Sequence, residues 1–389
     1  MAKCSIIEND LLRELFRCDR LRRRDFVAAT GYRPASVFAA VNNLKRDGRL
    51  IEPDRQSART GRNSPELRLN PAYGHYLGLE VQPRRVLGMV IDNAGQAVAR
   101  AAIAPESGIT AAAAAAAISR MIEELRPVPA DMAAFRGVGF ADPGMVDMKK
   151  QVSLHAVNVP SWKNLDAAAL IRSILPAENI LVLPETMARA YAEYQARLPQ
   201  APEGLFQISL NSGIGGGLVK NGELFVGDTG RAMEIGHLVV VPDGPQCQCG
   251  NRGCLEAVAG EIGIRRRIEQ MAADGVRTEL RPDGFCLAAL VAAVRHRDRA
   301  AMLLAAEICD YIADALTAVV TLLNPSMIVI SGELSGLGHV LLDAVKKTLA
   351  FRCFPGATER LQVEFSRLDE YAACYAVALM VRNRVLLGE

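Results

Sequence analysis

Apolar residues recur along this chain at two different periods, and the change of period divides it. Over residues 9–16 they fall at Leu11, Leu12, Leu15 and Phe16, the spacing of one face of a helix. A second, shorter helix is predicted over residues 24–30, ended by Gly31, which suits the left-handed residue of a tight turn. Pro34 is well placed for the first turn of a third helix that runs to about Asp47, with Gly48 closing it. In that helix Val37, Ala40, Val41 and Leu44 repeat at i, i+3, i+4 and i+7, which turns Ala35, Ala39, Asn42 and Arg46 to the opposite face, free to enter a groove. Leu50-Ile51 and Leu67-Arg68-Leu69 then bracket an Arg-rich loop. Helix, short helix, glycine turn, helix and a basic loop between short strands is the plan of a winged helix-turn-helix. The same local pattern would also serve a small helical oligomerisation module.

From Tyr76 the pattern changes to strands and helices in alternation. Residues 76–81 and 86–91 are predicted as the two strands of a hairpin, and 136–140 and 180–183 as further strands. Residues 110–125, with seven consecutive alanines, form a helix by propensity rather than a site. A second alternating set follows: strands over 205–210, 217–220 and 327–330, with helices around 300–323 and 338–349. Two successive α/β lobes fit this order better than one.

Composition sharpens the division. A chain of 389 residues, half of them apolar, can bury one small and one large core. Its net charge of +2 excludes a chain-wide affinity for polyanions. The first 70 residues, however, hold 15 Lys and Arg against 9 Asp and Glu, leaving 30 against 34 for the remainder. A basic N-terminal end suits contacts to phosphates, and Arg55, Arg59 and Arg62 of the loop offer phosphate or minor-groove contacts. The opening Met1-Ala2-Lys3-Cys4 leads into charged, amphipathic sequence, and no apolar run approaches the ~20 residues of a membrane-spanning helix. The expectation is a cytoplasmic protein with no membrane partner.

Three of nine cysteines crowd into one short stretch, Cys247-Gln-Cys249-Gly-Asn-Arg-Gly-Cys254-Leu-Glu256, preceded by Glu234-Ile-Gly-His237. In a reducing compartment that spacing reads as metal ligation. Three thiolates and an imidazole complete a tetrahedral shell around Zn2+, and Gly250 and Gly253 let the backbone fold tightly enough to gather the sulfurs. Four protein ligands leave no open position for water, so the expected zinc is structural, held by His237, Cys247, Cys249 and Cys254.

The stretch Asn211-Ser-Gly-Ile-Gly-Gly-Gly-Leu-Val, the Glu234-to-His237 segment and the cysteine element together resemble the signature of the ROK family, which contains repressors and sugar kinases. Gly137-Val-Gly-Phe-Ala-Asp-Pro143-Gly144-Met-Val-Asp147, Asn158-Val-Pro160-Ser-Trp162 and Leu323-Asn324-Pro325-Ser-Met-Ile-Val-Ile-Ser-Gly332 resemble further family elements. Gly61-Arg62-Asn-Ser-Pro-Glu-Leu67-Arg-Leu69-Asn70-Pro71 is similar to the segment that leads out of the winged helix of family repressors. The resemblance implies an α/β chain with an N-terminal winged helix-turn-helix over residues 1–70. A two-lobed ribonuclease H-like domain of the actin and sugar-kinase type would follow over 71–389. Lobe one would span about 71–195 plus the C-terminal helix, and lobe two about 196–370 with the zinc loop. Carried over position by position, the sugar contacts would be Asn158, Glu185, Glu234, His237 and Glu256. His237 would then serve both metal and sugar, and the zinc would hold its ring and Glu256 in place. Alternatively, Glu234 and Glu256 only brace the zinc loop.

The kinase branch of the family needs a phosphate cradle and a general base. Where family kinases have D-x-G-G-T-K this chain has Glu80-Val-Gln82-Pro83-Arg84-Arg85, which lacks both glycines, and Pro83 has no N–H to donate. Where they have N-D-A-N it has Pro184-Glu185-Thr186-Met187, with a longer carboxylate and no Asn partner. The glycine-rich residues 213–217 are expected as a loop that shapes the hinge between lobes. No catalytic residue is therefore expected. The reading is a repressor that binds operator DNA as a homodimer or homotetramer under control of a sugar or sugar-phosphate. Its alternatives are an ATP-dependent sugar kinase and a zinc-stabilised regulator that binds no sugar. Arg33, Ser36, Phe38, Ala39, Asn42, Arg59 and Arg62 are the expected DNA contacts; the recognition helix lacks the family's Ser-Arg pair, so readout at Phe38 and Ala39 would be apolar, toward thymine methyls.

Overall fold

A computed structural model describes residues 5–53, 66–106, 108–125, 135–156, 159 and 161–389. The chain begins with α1 (Ile6–Arg17), β1 (Leu21–Arg22), α2 (Arg23–Thr30), α3 (Pro34–Arg46), β2 (Leu50–Ile51) and β3 (Glu66–Leu69). Helix α1 starts three residues ahead of the predicted Asn9, because Ser5 and Glu8 form a capping box. The Ser5 hydroxyl accepts from the Glu8 N–H at 3.2 Å, and the Glu8 carboxylate accepts from the Ser5 N–H at 2.8 Å. Strand β3 is central in a small antiparallel sheet, with Leu21 of β1 opposite Leu67 and Leu50 of β2 opposite Leu69. Leu11, Leu12, Leu15, Phe26, Val37, Val41 and Leu44 pack against Leu50 and Leu67 as one core. This is a helix-turn-helix closed by a three-stranded sheet, in which β1 was not legible from the apolar spacing.

Lobe one contains β4 (His75–Val81), β5 (Val86–Asp92), β6 (Ala97–Ile103), α4 (Ala111–Leu125), β7 (Phe135–Asp142), β8 (Met145–Asp147), β9 (Val152–His155), β10 (Lys163–Asp166), α5 (Ala167–Ile174), β11 (Ile180–Pro184) and α6 (Glu185–Gln195). Lobe two contains β12 (Gly204–Leu210), β13 (Ile214–Lys220), β14 (Glu223–Leu224), α7 (Leu255–Ala259), α8 (Glu261–Ala273), α9 (Leu287–Arg295), α10 (Arg299–Leu323), β15 (Met327–Ser331), α11 (His339–Arg352) and β16 (Gln362–Phe365). The last helix, α12 (Ala372–Leu387), returns to lobe one, where it lies on β4, β5 and β7 and against α6. Apolar residues surround it on almost every side, as a helix sandwiched between other elements requires.

The two main sheets repeat one topology. In lobe one the order is β11-β7-β4-β5-β6; in lobe two it is β14-β13-β12-β15-β16, so that in each an antiparallel meander is extended on its first strand by two parallel strands. Strands β8 to β10 form a separate antiparallel sheet. Helix α6 packs on β12 and β13 as well as on its own lobe, which makes it the element shared between lobes. Residues 213–217, expected as a hinge-shaping loop, are instead mostly strand: Leu210 pairs with Ile214 and Gln207 with Gly217, in the first half of β13. The glycines are there for close packing. A Cβ at Gly215 would lie 2.6 Å from the Thr186 methyl on α6. Among the described residues no helix is long and apolar enough to cross a membrane.

Candidate functional site

The residues that follow β14 fold into a tight knuckle on the side of lobe two. A single 3-10 turn, Ile235–His237, sets the His237 ring, and a bridge between Val239 and Cys254 returns the chain beneath it. Between them the Cys247 N–H donates to the Asn251 carbonyl at 2.8 Å, closing the loop that carries Cys249. Gly253 has φ +71°, and a Cβ there would fall 1.6 Å from the Val241 carbonyl oxygen, so neither the conformation nor the space admits a side chain.

These turns bring one ligand atom each from His237, Cys247, Cys249 and Cys254 within 4.8 Å of one another. His237 Nδ1 lies 3.7 Å from Cys247 Sγ, and Cys249 Sγ lies 3.7 Å from Cys254 Sγ. Metal–sulfur bonds of about 2.3 Å and a metal–nitrogen bond of about 2.0 Å place tetrahedral ligands about 3.5–3.8 Å apart, so the donor set fits one metal ion. Burial pushes the Cys254 thiol up to about 12, so this sulfur gains from a cation that stabilises its thiolate. His237 meets the sulfurs through Nδ1, which leaves Nε2 as the nitrogen turned from them.

Glu256, in the first turn of α7, points back across lobe two, and its Oε2 accepts from the Ile214 N–H at 2.8 Å. Burial raises the carboxyls of both Glu256 and Glu234, and the two carboxylates and the His237 ring are close enough to influence Glu234 electrostatically. Three of the predicted sugar contacts therefore converge. Asn158 lies outside the described residues, but the chain on either side of it is held firmly. Ala156 N–H donates to the Trp162 carbonyl at 3.0 Å and Trp162 N–H to the Val159 carbonyl at 2.8 Å. The indole Nε1–H of Trp162 reaches the carboxylate of Asp142, which also accepts from Ser153 Oγ at 2.8 Å and Gly144 N–H at 2.9 Å. Asp142 was not singled out from the sequence. Its signal was a carboxylate at the end of a strand otherwise buried, within the 137–147 motif.

Glu185, the remaining predicted contact, opens α6. One turn later Arg189 donates through Nε to Glu185 and through a terminal nitrogen to Glu80 Oε1 at 2.9 Å. Gln82 Nε2 donates to the same Glu80 oxygen at 2.8 Å, while Glu80 Oε2 is buried without a hydrogen-bond partner. Burial drives the Glu80 carboxyl up although Arg189 opposes it, and the paired carboxylates hold Arg189 protonated against its own burial. Arg189 too was missed, although its i+4 spacing from Glu185 was visible. In the turn between β4 and β5 Arg85 is engaged with Gln82 at 2.8 Å and Glu370 at 2.6 Å. The β13 glycines close the gap between the two groups of carboxylates, because Gly215 touches Thr186 beside Glu185 and its neighbour Ile214 holds Glu256.

In the N-terminal unit Arg33, Phe38, Ala39 and Asn42 stand exposed along α3, with Ser36 half-buried. Arg59 and Arg62 lie outside the described residues. Phe38 is 54% exposed, and the Arg23 guanidinium lies 5.0 Å from its ring centre. Glu52 ties Arg23 to Lys45.

Comparison with known proteins places this arrangement. The sequence pattern described as the ROK family matches residues 76–383. The glucokinase of Thermotoga maritima is 29% identical over 255 residues, 64% of this chain and 80% of that protein. The DNA-binding transcriptional dual regulator NagC of Escherichia coli K12 is 24% identical over 363 residues, 91% of this chain and 87% of that protein. The crystal structure of a ROK family transcriptional regulator, a homolog of the E. coli MLC protein, shares the fold with a TM-score of 0.81 at 23% identity, covering 98% of both chains.

Proposed function

We propose that this chain, which belongs to the ROK family, is a transcriptional repressor whose N-terminal winged helix binds operator DNA and whose two-lobed domain binds the sugar that controls it. The observation that carries this reading is α3. Its apolar side, Val37, Ala40, Val41 and Leu44, is buried, and its other side holds Arg33, Phe38, Ala39 and Asn42 exposed among the described residues. Similarity to NagC extends over 91% of the chain, whereas similarity to the glucokinase extends over 64%. On this reading Arg33, Ser36 and Asn42 position or read DNA, Phe38 and Ala39 meet thymine methyls, and Arg59 and Arg62 of the wing contact phosphate. Two copies set their heads on a palindromic operator, as a dimer or within a tetramer.

The effector cleft takes its sugar on Glu234, Glu256 and His237 Nε2, joined by Asn158 and Glu185. The metal is zinc, bound by His237 Nδ1 and the three cysteines; with four protein donors it has a structural part, fixing the ring whose other nitrogen meets the sugar. Phosphoryl transfer has no support in the site. Arg189 occupies Glu185, the residue that stands where a general base would, and Gln82 and Pro83 stand where the glycines of a phosphate cradle would. The test is fluorescence anisotropy of labelled DNA from the promoter region upstream of the chain's own gene, with and without a panel of monosaccharides. Binding that a sugar changes supports the reading. Sugar-dependent ADP release from ATP, with no DNA binding, replaces it by the kinase.

A further inference from the structure

We propose that Cys249 is an oxidative modification site: its sulfur is where a hydroperoxide attacks the knuckle, a Cys249–Cys254 disulfide follows, and the metal is lost. This rests on the zinc reading above and assumes nothing about the sugar. Among the described residues Cys249 is the one exposed cysteine; Cys247, Cys254, Cys309 and Cys374 are buried, and Cys18, Cys286 and Cys353 are half-buried. It sits at the tip of a short loop closed by the Cys247 N–H on the Asn251 carbonyl at 2.8 Å. Its neighbour Gly250, at φ +95°, has open space where a Cβ would stand. A thiolate reacts only where the oxidant can reach it, and the loop tip supplies that access.

A second sulfur stands beside it. Cys254 Sγ lies 3.7 Å from Cys249 Sγ, and a disulfide needs about 2.05 Å. Cys254 is the fixed partner, because Val240 N–H donates to the Gly253 carbonyl at 2.9 Å on one side of it and Leu255 N–H to the Leu238 carbonyl at 2.8 Å on the other. The loop tip is therefore the part that moves. In the first step the Cys249 thiolate attacks the peroxide, the O–O bond breaks, the sulfur keeps OH as a sulfenic acid, and the other oxygen leaves and takes a proton. In the second the Cys254 thiolate attacks that sulfur, the S–S bond forms, and hydroxide leaves and is protonated to water. Two thiolates are oxidised, one hydroperoxide is reduced and two protons are consumed; a dithiol reverses the result. His237 and Cys247 then remain as two donors of a four-donor shell. Cys254 caps α7, whose first turn carries Glu256, and the His237 ring is set by the sulfur beside its Nδ1, so oxidation at an exposed sulfur reaches both side chains.

Zinc-loaded full-length protein treated with hydrogen peroxide tests this, with a chromophoric chelator reporting free zinc and alkylated samples mapped by peptide mass spectrometry. The expected result is release of about one zinc per chain, with Cys249 oxidised first and a Cys249–Cys254 disulfide recovered. A dithiol followed by zinc is expected to restore the starting melting temperature. A chain carrying Cys18→Ser, Cys286→Ser and Cys353→Ser together is expected to release zinc at the parent's rate. Cys249→His exchanges the exposed sulfur for a nitrogen donor and is expected to slow release by about 10-fold or more. If that variant holds no zinc, the order of oxidation in the parent decides alone. Zinc retained while Cys18, Cys286 and Cys353 are oxidised overturns the proposal, as does first oxidation at Cys247 or Cys254, or release with no disulfide between Cys249 and Cys254. Protein that neither carries zinc as purified nor takes it up overturns the zinc reading itself, and this one with it.

Discussion

The indole Nε1–H of Trp162 donates to Asp142 Oδ2 across 3.0 Å, with both side chains wholly removed from solvent. The pair fastens the segment that carries Asn158 to the end of the central strands of lobe one. It also places a carboxylate where its charge is costly, and burial pushes that carboxyl up to about 6 despite its three donors.

A pH dependence of stability follows. An unfolded Asp titrates near 3.9, so between about pH 4 and 6 the folded chain keeps a proton that the unfolded chain has lost. The stabilisation from this group is complete below pH 4 and disappears as pH rises through 6, a change of roughly 3 kcal/mol. Asp142→Asn cannot titrate, so urea denaturation at pH 4.5 and 7 is expected to give a smaller decline for the variant than for the parent. Equal declines would remove Asp142 as the source.

Arg189 gives a second prediction, on stability alone. Arg189→Met leaves Glu80 and Glu185 facing each other with Glu80 fully enclosed, and loss of one partner from a buried ion pair costs about 3–5 kcal/mol. Glu80→Gln keeps a hydrogen-bonding group and relieves an unfavourable charge, so its cost is expected to be smaller. Thermal melts of the two variants side by side check the order; the reverse order would mean that the triad is not held by Arg189.

What could be read from the sequence, and what could not, divides along sequence separation. Cys247, Cys249 and Cys254 were legible as a cluster that could hold a metal ion because they are neighbours in the chain. The apolar face of α3 was legible for the same reason, since Val37 to Leu44 is a local period. The Arg189–Glu80 contact joins residues 109 positions apart, and no local period encodes it. Strand β1 has two residues and exists only because β3 offers it an edge. The glycines of β13 looked like a loop because glycine usually breaks strands; here the closeness of α6 selected them.

For the metal, purified protein is expected to contain about one equivalent of zinc per chain by elemental analysis. Cys249 is exposed, so Cys249→Ser removes a donor without opening a cavity, and any loss of stability reports lost metal binding. The variant is expected to lose zinc and melt lower by several degrees, with a matched shift in the parent on adding a chelator. A variant that retains full zinc and an unchanged melting temperature would show that Cys249 is not a ligand.

The exposed side of α3 yields a prediction in which affinity and stability separate. Arg33→Ala and Asn42→Ala remove exposed side chains, so stability should move by less than about 0.5 kcal/mol. Operator affinity is expected to fall by about 1–3 kcal/mol for each. If Arg33 contacts a phosphate, its variant also reduces the slope of log affinity against log salt by about 0.9, while the slope for Asn42→Ala is unchanged. Anisotropy titrations over a salt series distinguish the two.

The end of the chain links the head to lobe one. Leu386, in the last turn of α12, is part of the same core as Leu11, Leu12, Val41 and Leu44, and the buried Arg49 guanidinium donates to its carbonyl at 3.0 Å. One turn earlier the Arg382 guanidinium lies 5.3 Å from the centre of the Phe16 ring of α1. Asn93 Nδ2 also donates to the Asn70 carbonyl at 3.1 Å, and Arg136 covers the Tyr73 ring at 3.9 Å. The head is therefore fastened to lobe one at two places, and α12 runs from that joint across the sheet to α6. Leu386→Ala should cost about 2–5 kcal/mol locally, since it opens a cavity in a small core. Because the lost contacts belong to the head and not to the cleft, DNA affinity is expected to fall sharply while the melting shift produced by a bound sugar persists. Loss of both together would mean that the chain unfolds as one unit; loss of neither would mean that α12 is not the joint.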